Sequence, residues 1–173
     1  QKQSVHGMLP IWSHYANENW CMIGYHATSV IADAIAKNVG DFSKPDALSA
    51  CISTSNVSYF DGIESYIEKG FVPEDVSGSS VSKTLEFAYN DWCIAQVSDE
   101  LNDVNTTKEY LKRSESYRNL YDSKIGFMRP KLNNGNWKTP FDPMNTHGQG
   151  FIEGNAWNYG LYVPHQIDTM IEM

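Results

Sequence analysis

Apolar positions recur at helical spacing in several separate stretches of the chain. Ile23, Ala27, Val30, Ile31, Ala34 and Ile35 predict a first helix, with Asn17 placed to cap its start and Gly40 to end it. Pro45 fits a first helical turn, and Ala47, Leu48, Ala50, Cys51 and Ile52 predict a short second helix. Asp61-Gly62-Ile63-Glu64 resembles a capping box that opens a third, and Gly70 ends it. Residues 71–80, with Pro73, Gly78 and several serines, read as a loop. The strongest stripe, Val81, Leu85, Ala88, Tyr89, Trp92 and Ala95, predicts a helix buried on one face. Thr106 with Glu109 is a second capping-box pattern. After it Tyr110, Ser114, Tyr117 and Tyr121 share a face, and the two helices read as an antiparallel pair. Residues 122–152 carry Pro130, Gly135, Pro140, Pro143, Gly148 and Gly150 without a helical period, which predicts a long ordered loop of the kind kept for function. Two helical pieces divided near Pro164 bring the count to about seven helices. With scarcely a strand signal, the class is all-α, built of packed helical hairpins.

Composition narrows the function classes. The chain has 173 residues, 41% of them hydrophobic, with five Trp and ten Tyr, enough for one folded domain with a core. A net charge of −8 repels phosphate backbones, so nucleic acid is a poor partner. Cys21, Cys51 and Cys93 are odd in number and widely spaced, which indicates neither a disulfide framework nor a zinc pair, and they read as buried thiols. No apolar run is long enough to span a membrane and no signal peptide is present, so any export signal is expected upstream.

One stretch, Gly150-Phe151-Ile152-Glu153-Gly154-Asn155-Ala156-Trp157-Asn158-Tyr159, sets a carboxylate between glycines at what reads as the start of an aromatic-rich helix. The glycines let the backbone turn tightly and approach a ligand, and Trp157, Tyr159 and Tyr162 follow at spacings suited to stacking on a sugar face. The competing reading is a surface glutamate at a helix start, where the dipole favours negative charge. Trp137 and Trp20 are further stacking candidates, whereas Trp92, on a regular apolar stripe, reads as core. Asp142 reads as a turn former, and neither it nor Asp168 matches a known base motif. The five histidines make no metal-binding spacing, so no metal ligand is assigned.

Leu9-Pro10-Ile11-Trp12, the blocks from Asn19 to His26 and from Ser80 to Ala95, Gly126-Phe127-Met128-Arg129, Pro140-Phe141-Asp142-Pro143, Glu153-Gly154-Asn155-Ala156-Trp157 and Val163-Pro164-His165 occur in the order seen in glycoside hydrolase family 92. The chain resembles part of that family's catalytic domain. The resemblance implies that residues 1–173 are a single helical segment of a larger domain, part of an (α/α)6 barrel. It implies a calcium-dependent, inverting, exo-acting α-mannosidase acting on α-1,2-linked mannosides of glycans, with Glu153 as general acid. Trp157, Trp20, Cys21 and His26, in the resembling blocks, are the substrate-binding candidates. Calcium takes oxygen ligands, often backbone carbonyls, so none is assigned.

Inversion needs an acid and a base about 6.5–9.5 Å apart, and in the family the base lies well downstream of the Glu-Gly-Asn-Ala-Trp motif, past Met173. The chain alone is therefore expected to be inactive on mannosides. Ile167, Met170 and Ile171 are expected to leave an uncovered apolar stripe through which copies self-associate. An acid role needs a raised carboxyl pKa while a helix start lowers it, so burial by Phe151, Trp157 and Tyr159 would have to prevail. The implied setting is secreted or periplasmic, in a bacterium. A non-catalytic helical scaffold that binds a glycan or a protein is the alternative function.

Overall fold

The computed structural model describes residues 7–12 and 18–173; the cap expected at Asn17, with His6 and His14, lies outside them. In chain order the described elements are α1 (Ala27–Ala36), α2 (Lys44–Thr54), α3 (Ile63–Lys69), α4 (Ser80–Glu100), α5 (Val104–Ser114), a 3-10 turn (Ser116–Leu120), β1 (Tyr121–Asp122), β2 (Phe127–Met128) and α6 (Ile167–Glu172). The two short strands pair antiparallel, Tyr121 opposite Met128 and Asp122 opposite Phe127. The other elements are helical, and the stretch between Met128 and Ile167 holds none of them.

Local chemistry explains most boundaries. Ser43 caps α2 by accepting from the Asp46 N–H, and Pro45 occupies the first turn, where its missing N–H costs nothing. Gly70, at φ 74°, ends α3 in the left-handed conformation that glycine adopts without a Cβ penalty. Both expected capping boxes are absent. Asp61 is drawn away to the ammonium of Lys83, and α3 opens on Gly62 with no side-chain cap. Asp103, not Thr106, caps α5, taking the Thr106 N–H at 3.2 Å. The first helix also differs from its expected span: it begins at Ala27, after His26, and stops at Ala36, short of Gly40.

α4 is the axis of the molecule, and it is buried all round rather than on one face. Sixteen of its 21 residues are buried, including Ser80, Ser82, Lys83, Thr84, Glu86, Asn90, Asp91 and Ser98. On one side it meets a core of Tyr25, Ile35, Leu48, Cys51, Ile63, Tyr66 and Tyr110, with its own Phe87, Ile94 and Val97. On the other, Val81, Leu85 and Ala88 meet Phe71, Tyr117, Leu120, Met128, Phe151, Ala156 and Val163. The first core comes largely from helices, the second largely from the long loop and the 3-10 turn.

Most polar side chains of α4 survive burial by finding a partner, although Ser80 Oγ, Glu86 Oε2 and Asn90 Nδ2 take no hydrogen bond among the described residues. Asp91 accepts from the hydroxyls of Tyr25 and Tyr66, at 2.5 and 2.8 Å, and from Arg113 Nε at 3.0 Å. Arg113 also donates to the Ser55 carbonyl and the Asn56 side chain, and its guanidinium lies 4.7 Å from the centre of the Tyr110 ring. Asn90 accepts from the Tyr25 N–H at 2.9 Å. Thr84 accepts from the Val72 N–H at 3.0 Å while donating to the Ser80 carbonyl.

The region after residue 150 departs furthest from the expected pattern. Only one helix follows, α6 after Pro164; the stretch from Asn155 to Tyr162 forms turns instead. Cys51 and Cys93 are buried as expected, but Cys21 is exposed.

Candidate active site

Glu153 does not stand at a helix start. It occupies a turn at φ 51°, left-handed for a residue with a side chain, a conformation that costs on the order of 1–3 kcal/mol unless the surroundings hold it. It is exposed, so Phe151, Trp157 and Tyr159 do not bury it as the sequence reading expects, and Trp157 is itself exposed.

The surroundings hold it from both flanks. Upstream, Gly150 at φ 85° lies so close to α4 that a Cβ there would meet Val81 Cγ2 at 2.8 Å and Pro130 Cβ at 3.0 Å, so only glycine fits. Its carbonyl accepts from the N–H groups of Val81 and Ser82 at 2.9 and 3.1 Å, doing for the start of α4 what a capping side chain would do. Glu74 takes the neighbouring Ser80 N–H at 3.2 Å. Phe151 is buried, and the Ile152 N–H donates to Ser82 Oγ at 3.1 Å.

Downstream, Asn155 and Asn158 lock the turn onto itself. Asn155 Oδ1 accepts from the N–H groups of Trp157 and Asn158, while Asn158 Oδ1 accepts from the Asn155 N–H at 2.8 Å. These side chains satisfy backbone donors that a helix would have paired, so the aromatic spacing of Trp157, Tyr159 and Tyr162 marks turns. The Tyr159 hydroxyl donates to Glu86 Oε1 of α4 at 2.6 Å. Burial, and then the Glu86 charge, pushes the Tyr159 hydroxyl far above the usual phenol range, which keeps it a donor. Tyr162 is raised for the same two reasons.

Glu86 is the meeting point that spacing did not reveal. It is buried, its Oε2 lies 3.7 Å from His26 Nδ1, and that oxygen takes no hydrogen bond among the described residues. His26 and the turn that carries Glu153 are thus brought to one carboxylate. The signal available in the sequence was a carboxylate set between Leu85 and Phe87 of that helix.

The other candidates are placed less centrally. Trp20 and Cys21 do not open a helix but lie in the loop before α1, with Trp20 at φ 61°. That loop is organised by Glu18, a buried carboxylate that accepts from the N–H groups of Ile11, Asn19 and Trp20 and that sequence reasoning missed. Trp20 and Cys21 line a pocket of about 250 Å³ with Tyr59, Asp61 and Lys83. Lys83 is itself buried and held by Asp61 and Ser77. Trp157 is exposed and packs edge-on against Phe127, ring centres 5.0 Å apart. Trp137 has Lys131 Nζ 4.5 Å from its ring centre, which occupies one face of the ring. Trp92 is half-buried, stacked on Tyr89. His165 sits among the rings of Tyr117, Tyr89 and Trp92 with Nε2 2.9 Å from the Ser114 carbonyl, and burial pushes its pKa down. Asp142 accepts from the Met144 N–H, as a turn former does.

Calcium needs about six to eight oxygens. Among the described residues, no group of three or more His, Cys, Asp or Glu side chains converges on one point, so these side chains do not by themselves form such a cage.

The model of the glycosyl hydrolase family 92 catalytic domain matches residues 1–173. The chain belongs to glycoside hydrolase family 92. A family GH92 α-mannosidase from Bacteroides thetaiotaomicron is 44% identical, with a TM-score of 0.93 over 98% of this chain and 22% of that one. A second structure from that organism, described as a family GH92 inverting mannosidase, is 33% identical at a TM-score of 0.90, over 96% of this chain and 23% of its own. An uncharacterized secreted glycosidase of Arthroderma benhamiae is 25% identical over 96% of this chain and 26% of its own. The chain therefore spans about a quarter of the length of these family 92 relatives, and its helical hairpins match the helical architecture of the solved ones.

Proposed function

We propose that this chain is a segment of an exo-acting α-mannosidase in which Glu153 is the general acid that protonates the departing glycosidic oxygen. The observation that carries the reading is the Glu-Gly-Asn-Ala-Trp turn: an exposed carboxylate on a strained backbone, anchored on both sides to the longest helix. An acid must be held at a fixed distance from the oxygen it protonates, within about 2.6–3.2 Å of heavy-atom separation, and a clamped turn does that better than a helix end with a free side chain.

Inversion, calcium dependence and preference for α-1,2-linked mannosides of glycans belong to this proposal, supported by membership of the family and by a relative described as inverting. The partner base, the calcium ligands and the rest of an (α/α)6 barrel are proposed to come from other parts of the full-length enzyme. The apolar groove of Leu161, Val163, Pro164, Ile167 and Ile171 is proposed to be covered in that enzyme, and to drive association of the isolated chain. Trp20, Cys21, His26 and Trp157 are proposed to meet the sugar. Secretion is proposed from the name of the fungal relative. A non-catalytic scaffold has no observation that favours it.

The test is Glu153→Gln in the full-length enzyme, which keeps size and hydrogen bonding and removes the transferable proton. Turnover of an α-mannoside with a poor leaving group is expected to fall about 10²–10⁴-fold with little change in KM. The loss is expected to shrink for a leaving group that needs no protonation. Unchanged turnover overturns the acid role.

A further inference from the structure

Ser82 and Glu86 lie on successive turns of α4, and each holds one flank of the Glu153 turn. Ser82 Oγ accepts the Ile152 N–H immediately before Glu153. Glu86 Oε1 accepts the Tyr159 hydroxyl at the far end of the Asn155–Asn158 lock. Neither contact is needed to build the helix, whose backbone is complete without them. Burying the charge of Glu86 is costly, yet its Oε2, with His26 Nδ1 at 3.7 Å, takes no hydrogen bond among the described residues. A core optimised for packing alone would place an apolar side chain there.

We propose that Ser82, Glu86 and Tyr159 are positioning residues for Glu153, a role that rests on the acid reading above. The Tyr159 to Glu86 bond stops the downstream flank from sliding along α4, and the Ile152 to Ser82 bond stops the upstream flank. Between them Glu153 keeps its left-handed backbone, which points the carboxyl out of the fold. Without either bond, relaxation toward an ordinary backbone region swings the carboxyl away from the oxygen it serves. Misplacement of a reacting group by about 1 Å costs on the order of a hundredfold.

The experiment compares Tyr159→Phe, Ser82→Ala and Glu86→Gln with Glu153→Gln in the full-length enzyme. The probes are phenyl α-mannoside, whose leaving group needs protonation, and 2,4-dinitrophenyl α-mannoside, whose leaving group does not. Tyr159→Phe and Ser82→Ala are expected to lower kcat on the phenyl substrate by about ten- to a hundredfold, leaving KM and the dinitrophenyl rate nearly unchanged. Glu86→Gln, whose amide oxygen still accepts from Tyr159, is expected to retain more activity than Tyr159→Phe. A general structural defect lowers both substrates alike. Equal loss on both, or no loss in any of the three variants, overturns the proposal. If Tyr159→Phe does not fold, Ser82→Ala and Glu86→Gln decide it. Should Glu153→Gln discriminate between the substrates while the three variants do not, only the positioning role fails. Should Glu153→Gln not discriminate either, the acid role has failed first.

Discussion

Asp91 and Glu86 are both buried carboxylates on α4, and they are used in opposite ways. Asp91 is met by two hydroxyls and a guanidinium, from Tyr25, Tyr66 and Arg113, which tie α3 and α5 to the start of α1. Glu86 accepts from the Tyr159 hydroxyl, in a turn rather than a helix, has Tyr162 and His26 beside it, and keeps one oxygen without a hydrogen bond among the described residues. A fully satisfied buried network joins elements that stay together; a partly satisfied one beside a loop marks where the fold gives up stability to place a side chain. Partner count separates the two where burial alone does not.

The strongest way to break this comparison is to discharge Asp91. Asp91→Asn strands Arg113 beneath the Tyr110 ring, and removing one member of a buried pair costs about 3–5 kcal/mol. Urea unfolding of the full-length enzyme should show that loss, with kcat per folded molecule kept. If stability were untouched and kcat collapsed, the two carboxylates would have exchanged roles.

A smaller effect is expected from Gly150→Ala on the loop side. The left-handed backbone and the contacts with Val81 and Pro130 together should cost about 1–3 kcal/mol. Gly126→Ala, at φ 70° with nothing within 4 Å of the added carbon, isolates the backbone part. Thermal melts that place the two variants level would mean that the contact with α4 is slack.

The smallest perturbation is chemical labelling, which reads the two sides without altering them. Cys51 and Cys93 belong to the helical core, and burial pushes their thiols up to about 11 and about 12, so neither offers thiolate at neutral pH. Cys21, in the loop before α1, is exposed. Mass spectrometry after maleimide treatment should find Cys21 labelled on the native protein, and Cys51 and Cys93 labelled only after denaturation. Early labelling of Cys93 would show that the helical side opens too.

How much of this was legible in the sequence follows the same division. Helices α2, α4 and α5 announce themselves by apolar spacing, and the loop-forming character of residues 122–152 by its prolines and glycines, because such signals are local. The errors fall where a side chain answers to something distant. Asp61 looks like a cap until Lys83, twenty-two positions on, takes it. The polar residues of α4 look solvent-facing until loops from both ends of the chain bring them partners. Residues 155–162 look helical because aromatic spacing is visible, while the mutual lock of Asn155 and Asn158 is not. The motif singles out Glu153 in the sequence; its left-handed backbone and the contacts of Ile152 with Ser82 and of Tyr159 with Glu86 were not legible there.

The carbonyl of Gly150 serves two masters, closing the first turn of α4 and anchoring the approach to Glu153. The amides of Val81 and Ser82 are therefore shielded by a loop and not by their own helix. Their exchange with solvent deuterium follows the opening of that loop, whatever the stability of the helix behind them. Two protons at the buried end of the longest helix thus keep time for a carboxylate on the surface.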